Sequence, residues 1–162
     1  EQGEEEQFNE AMSRMVQRLT ELVANGTLEI ATTPKGVVLE FNSRALYAVG
    51  SAEILPKSKP MLNRIAARIK QLGDVQLTVT VEGHTDDTPI KTARYPSNWE
   101  LSTARATNIV RHFVERKVDP KVLRAAGYAD MQPKYPNLDA GGAALPENRA
   151  KNRRVVIKME RY

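Results

Sequence analysis

The side chains with the most chemical potential fall in one stretch: His84, Thr85, Asp86 and Asp87 run together, and Arg105 follows inside a helix that opens at Ser97. An aspartate and an arginine held a few ångströms apart can receive a carbon that bears both an ammonium and a carboxylate. The arginine supplies a planar fork that takes a carboxylate in bidentate fashion. By residue type alone, a structural ion pair or a turn-capping aspartate is the commoner role for such side chains. His84 beside two aspartates also invites a metal reading. A metal needs three or four converging ligands, however, and the other histidine, His112, belongs to a different element. No metal is therefore expected. Asp86 and Asp87 do not read as a hydrolytic pair either, because adjacent residues at a strand end point to opposite sides and cannot flank a bond. No serine or histidine nucleophile signature stands out elsewhere, so the chain reads as a binder and not an enzyme.

Two elements must position these groups. Val75, Leu77, Val79 and Val81 alternate with Gln76, Thr78, Thr80 and Glu82, the period of a strand buried on one face and wet on the other. This strand delivers Gly83 and the carboxylates at its end. After a loop with Pro89 and Pro96, Ser97 and Glu100 form an S-x-x-E capping box that starts a helix. Its Ala106, Ile109, Val110, Phe113 and Val114 are expected to face inward. Helical side chains tilt toward the N-terminus, so Arg105, on the face of Leu101 and Ser102, should lean back toward the loop of Asp86.

The remaining chain supplies the frame. Residues 5–24 carry Phe8, Ala11, Met12, Met15, Leu19, Leu22 and Val23 at helical spacing, ending at Asn25-Gly26. Their stripe must be covered, by the chain's own domain or by a second copy. Thr27 to Ala31 and Val37 to Phe41 read as a hairpin split by Thr33-Pro34-Lys35-Gly36. The segment from Asn42 to Lys57 is irregular and shows no chemistry of its own. Ser58 and Pro60 open a helix with Leu62, Ile65, Ala66, Ile69 and Leu72 on one face, closed by Gly73. Lys121 to Ala125 reads as a short helical turn, 130–148 as a long ordered surface loop, and Pro146 as the start of one more turn. Val155, Ile157 and Met159 form a closing strand, central because it lacks Pro and Gly. The expected fold is a two-layer α/β (α+β) sandwich: a mixed sheet with two long helices on one face, plus an N-terminal amphipathic helix.

Composition excludes little. The 162 residues carry a net charge of +4 and only 6% aromatics, too little clustered charge for a nucleic-acid footprint. Absence of cysteine removes disulfides and thiolate metal sites. No run approaches the ~18 apolar residues of a membrane span. The chain begins with Glu1 and not Met, so a soluble fragment of a longer protein is expected.

Four ordered motifs go further. Gly83-His84-Thr85-Asp86, then Asn98-x-x-Leu101-Ser102-x-x-Arg105-Ala106, then Gly127-Tyr128 with Pro133, then Arg149-Ala150-x-Asn152-Arg153-Arg154-Val155 resemble, in order, those of OmpA-like peptidoglycan-binding domains. Asp86-Asp87-Thr88-Pro89-Ile90 and Ser97-Asn98-Trp99-Glu100-Leu101-Ser102 resemble the branch of flagellar stator subunits of the MotB type. Outer-membrane and lipoprotein members usually have a shorter loop, with a glycine where Pro89 stands. The resemblance implies residues 27–162 as the OmpA-like domain and 1–26 as a helical linker. It also implies a ligand, the free zwitterionic end of diaminopimelate in the peptidoglycan stem peptide. Asp86 would bind its ammonium and Arg105 its carboxylate, with Thr85, Asn98, Leu101 and Arg153 lining or supporting the pocket. The resemblance also sets the stretch from Asn42 to Lys57, with Tyr47, Gly50 and Ser51, at the border of the ligand site, and it implies no cofactor. The stator branch implies a homodimer, a multi-spanning stator partner subunit, and a periplasmic position below a single inner-membrane helix upstream. The alternatives are a peptidoglycan-binding module of an outer-membrane protein or lipoprotein, and, from another class, a cell-wall hydrolase.

Overall fold

Alternation along three strands sets the architecture of the computed structural model, which describes residues 2–22, 28–73 and 75–162. Strands β1 (Leu28–Thr33), β2 (Gly36–Asn42), β3 (Leu77–His84), β4 (Leu123–Gly127) and β5 (Arg154–Arg161) form one sheet in the order β1-β2-β5-β3-β4. Only β3 and β4 are parallel; the other neighbours are antiparallel. Register stacks the apolar positions into rows across the three middle strands, Val37-Met159-Val79 and Leu39-Ile157-Val81. All six are fully buried, because a period-2 pattern in register puts every apolar side chain on one face.

Three helices cover that face: α1 (Gln2–Leu22), α2 (Lys59–Gln71) and α3 (Asn98–Glu115). α2 contributes Leu62, Ile65, Ala66 and Ile69, and α3 contributes Ala106, Ile109 and Phe113. Val114, expected inward, is 38% exposed. The stripe of α1, with Phe8, Ala11, Met12, Met15 and Leu19, joins the same core. The chain's own sheet and helices therefore cover it. The expected helix stop at Asn25-Gly26, and the contributions of Leu22, Val23 and Thr27, lie outside the described residues and side chains.

Local chemistry differs from expectation at three points. The Ser97 hydroxyl accepts the Trp99 N–H at 3.2 Å and donates to the Glu100 carboxylate, so the capping box closes between side chains. Ser58 does not cap α2; its hydroxyl donates to the Ala45 carbonyl. The turn expected over Lys121 to Ala125 is helical only at Pro120–Val122, and Leu123–Gly127 is the edge strand β4. Leu-Arg-Ala-Ala-Gly lacks strand propensity, and its pairing beside β3 overrides that deficit.

The sheet's second face is wet only in part: Gln76 is exposed and Thr80 half-buried, whereas Thr78, Glu82 and His84 are buried, and near the carboxyl end of β3 the segment after Gly127 folds across this face. Tyr128 stacks on His84 at 5.2 Å, Arg154 donates to the Gln132 carbonyl at 3.0 Å, and Lys134 meets Glu40 at 2.6 Å. Asn152 at the end of α4 (Pro146–Asn152) fixes this segment. Its Oδ1 accepts from the Lys134 and Tyr135 N–H groups, and its Nδ2 donates to the Tyr135 carbonyl and to Asn137. A fully buried amide in which both oxygen lone pairs and both protons are satisfied is rigid.

Candidate functional site

The site begins where β3 presses on α3. A Cβ at Gly83 would lie 2.2 Å from the Ser102 carbonyl oxygen, so only glycine allows this approach. That contact brings the residues after His84 against the first turns of α3. The Thr85 N–H donates to the Ala129 carbonyl at 2.9 Å, and its hydroxyl donates to the Asp86 carbonyl at 2.8 Å. The Asp86 carboxylate is buried with one partner on each oxygen: Oδ1 accepts the Thr88 N–H at 2.8 Å, and Oδ2 is paired with the Arg153 guanidinium. Asp87 pairs with Arg149 at 2.7 Å. Arg149 and Arg153 are one helical turn apart, so α4 and its cap clamp the two carboxylates side by side. Asn98 donates to the Thr88 carbonyl at 3.0 Å and so acts as the fixing group of this loop.

Arg105 is held by another segment. Its Nε donates to the Ser51 carbonyl at 2.9 Å and Nη2 to the Ala48 carbonyl at 3.4 Å. The guanidinium lies 5.0 Å from the centre of the Tyr47 ring, and the Tyr47 hydroxyl donates to the Arg105 carbonyl at 2.7 Å. Burial pushes the Tyr47 phenol far above its ordinary value against the pull of Arg105. Burial likewise pulls the Arg105 guanidinium down, with Arg153 adding to the effect and Tyr47 and Tyr95 opposing it. An arginine stays charged regardless. Among the described residues no carboxylate pairs with Arg105. It is therefore a buried cation satisfied by carbonyl dipoles and a ring face, without a counter-ion.

Asp86, Arg105, Thr85, Asn98, Leu101 and Arg153 all line one cleft of about 320 Å³. Asp86 and Arg105 do not pair with each other; Asp86 takes both roles that residue type alone favours, an ion pair, with Arg153, and a turn cap, on the Thr88 N–H. The resemblance sets the stretch with Tyr47, Gly50 and Ser51 beside the ligand site, but sequence reasoning gave no role to the Tyr47 ring or to the carbonyls of Ala48 and Ser51. The one available signal was an aromatic residue in an otherwise small and polar loop. It also missed the rim, where Val49 is 81% exposed and Pro89 and Ile90 complete an apolar edge. With Arg44, Arg105 and Arg153 against Asp86, the cleft is net positive and suits a ligand that carries a carboxylate.

His84 turns away from the cleft. Its Nε2 lies 3.2 Å from Glu82 on the other face of the sheet. Burial alone would raise the Glu82 pKa, but hydrogen bonds from His84 and Lys158 outweigh it and hold the carboxyl below its usual range. Among the described residues no three His, Asp or Glu side chains converge as a metal site.

A family model described as the OmpA family matches residues 46–153, which contain every residue of the cleft except Ser43 and Arg44. YtxE of Bacillus subtilis is 38% identical over 78% of this chain and 49% of its own length. The structure of the cell wall anchor of the T6SS from Pseudomonas aeruginosa superposes with a TM-score of 0.76 at 30% identity, covering 93% of this chain and 97% of that one. The periplasmic domain of Helicobacter pylori MotB superposes with a TM-score of 0.71 at 29% identity, covering 83% and 82%. The chain spans about half the length of the curated relatives it matches.

Proposed function

The chain belongs to the OmpA family, and on that footing we propose that it is a non-catalytic peptidoglycan-binding anchor. In this reading it holds an ion-driven flagellar motor stator to the cell wall through diaminopimelate of the stem peptide. One observation carries the reading: among the described residues no carboxylate pairs with the buried Arg105 guanidinium, which lies in the same cleft as the carboxylate of Asp86. A carboxylate entering the cleft neutralises Arg105, and an ammonium on the same carbon meets Asp86. Arg153 pairs with the charge of Asp86, and its partly exposed side chain can turn to the incoming carboxylate. Thr85 and Asn98 fix the loop, and Leu101 forms the wall against the ligand's methylene chain.

The likeness to MotB periplasmic domains supports the stator assignment, and with it a periplasmic position, a single inner-membrane helix upstream, a homodimer and a multi-spanning partner subunit. The likeness to the T6SS anchor, over a larger share of both chains, favours a second reading in which the same grip serves another envelope machine.

Retention on purified cell-wall sacculi tests the grip. Asp86→Asn and Arg105→Ala should each reduce retention at least tenfold, since a charge-assisted contact contributes about 1.5–3 kcal/mol, while circular dichroism stays unchanged. Undiminished retention of both variants refutes the site. Replacing the periplasmic part of a motility protein B with this chain then separates the two machines: recovered swimming supports the stator, and unrestored swimming with normal sacculus binding supports the second reading.

A further inference from the structure

A second charged concavity lies at the opposite end of β3 from the cleft, roughly 25 Å away at ~3.3 Å per strand residue. It is the crevice between α1 and the C-terminal end of α2, with a volume of about 200 Å³. Arg14 and Arg18, one turn apart on α1, form one wall, and Arg68 of α2 forms the other. Ala11, Met15 and Leu72 make an apolar floor. Among the described residues no acidic side chain lines the crevice, and none of the three arginines forms an ion pair. Arg68 donates through Nη1 to Gln71 at 2.8 Å, and its Nε is buried without a partner. A buried donor left unpaired is costly, and three like charges around one hollow repel. Both penalties end when an anion enters.

We propose that this crevice binds a phosphate group and that the bound phosphate fastens α1 to the domain. Guanidinium forks match phosphate oxygens in bidentate fashion. A tetrahedral oxyanion can offer separate oxygens to three arginines at once, which a single carboxylate cannot. The volume, set against ~30 Å³ for a water molecule in liquid, leaves room for the group and the atoms it is esterified to. The phosphate comes either from a small soluble compound or from a lipid headgroup at a membrane surface.

The test uses the whole chain, with inorganic phosphate as the first probe, titrated by calorimetry and thermal melting against chloride at equal ionic strength. Phosphate should bind and raise Tm. Arg68→Gln, and separately the pair Arg14→Gln with Arg18→Gln, should weaken binding by about tenfold or more. Without phosphate and at low salt, the same variants should melt at or above the wild-type temperature, because each relieves repulsion. A lower ligand-free Tm would mark the arginines as structural and overturn the proposal. The second probe is vesicles of phosphatidylcholine with and without phosphatidylglycerol. Co-sedimentation only with the anionic vesicles, lost in the variants, assigns the phosphate to a headgroup; phosphate binding without vesicle capture assigns it to a soluble compound. Failure of both probes, or phosphate binding undiminished in the variants, overturns the site. Retention on sacculi should stay at the wild-type level in these variants, which separates this outcome from failure of the cleft.

Discussion

Tyr47 shows how far Arg105 depends on a neighbour that does not itself offer a charge. Its ring supports the guanidinium and its hydroxyl ties the backbone of α3 to the loop that supplies the carbonyl acceptors. The two roles separate by substitution. Tyr47→Phe keeps the ring and removes one buried hydrogen bond, and should cost about 1 kcal/mol of stability with sacculus retention nearly intact. Tyr47→Leu also removes the cation–π contact, worth roughly 0.5–2 kcal/mol, and should lower retention several-fold beyond its effect on unfolding. Equal retention of the two variants, measured beside urea unfolding curves, would show that the ring does not position Arg105. That Asp86, Arg105, Thr85, Asn98, Leu101 and Arg153 share one cleft was legible from motif order, since each sits at a fixed offset on a strand end or helix; Val49 at its rim was not. The partner of each charge was not legible. Pairing Asp86 with Arg153 and not Arg105 depends on how α4 approaches the loop, and that approach is set by Asn152 and the segment from Lys134 to Asn137.

The elements follow the same division. β2, β3, β5, α2 and α3 announce themselves by hydrophobic period, because each presents one face to the core. β4 does not, because an edge strand beside an already buried neighbour needs few apolar residues. The burial of Glu82 and His84 on the second face of β3 was equally illegible, as that end is covered by a loop folding back and not by a pattern within the strand. The end of α3 offers a direct test of local chemistry. The Lys117 N–H donates to the Val114 carbonyl and the Val118 N–H to the Phe113 carbonyl, the two bonds of a Schellman cap. Lys117 itself occupies the left-handed position at φ 72°, where a side chain is strained. Lys117→Gly should therefore stabilise the protein by about 0.5–1 kcal/mol in chemical denaturation, with sacculus retention unchanged. A loss of stability would mean that the lysine side chain contributes more than its backbone costs.

For the molecule as a whole, affinity must come from number. Two charge-assisted contacts of about 1.5–3 kcal/mol each, set against an association cost of at least ~4 kcal/mol, leave one cleft a weak binder. Two clefts on one polymer convert the second contact into an intramolecular event, which can raise avidity by 10²–10⁴. Tandem fusion of two copies should therefore be retained on sacculi at least about a hundredfold more strongly than one copy. A fusion of one active copy with an Arg105→Ala copy should behave as a monomer, and equal retention of the two fusions would remove the need for paired subunits.

The position of β5 bears on how the chain reaches this state. It follows every other strand in sequence, yet it lies between β2 and β3 and bonds to both. Until it arrives, those two strands have no shared ladder and the apolar rows lack their middle column. The five-stranded sheet is therefore completed only by the last segment of the chain, through pairings distant in sequence, the kind of contact that slows folding.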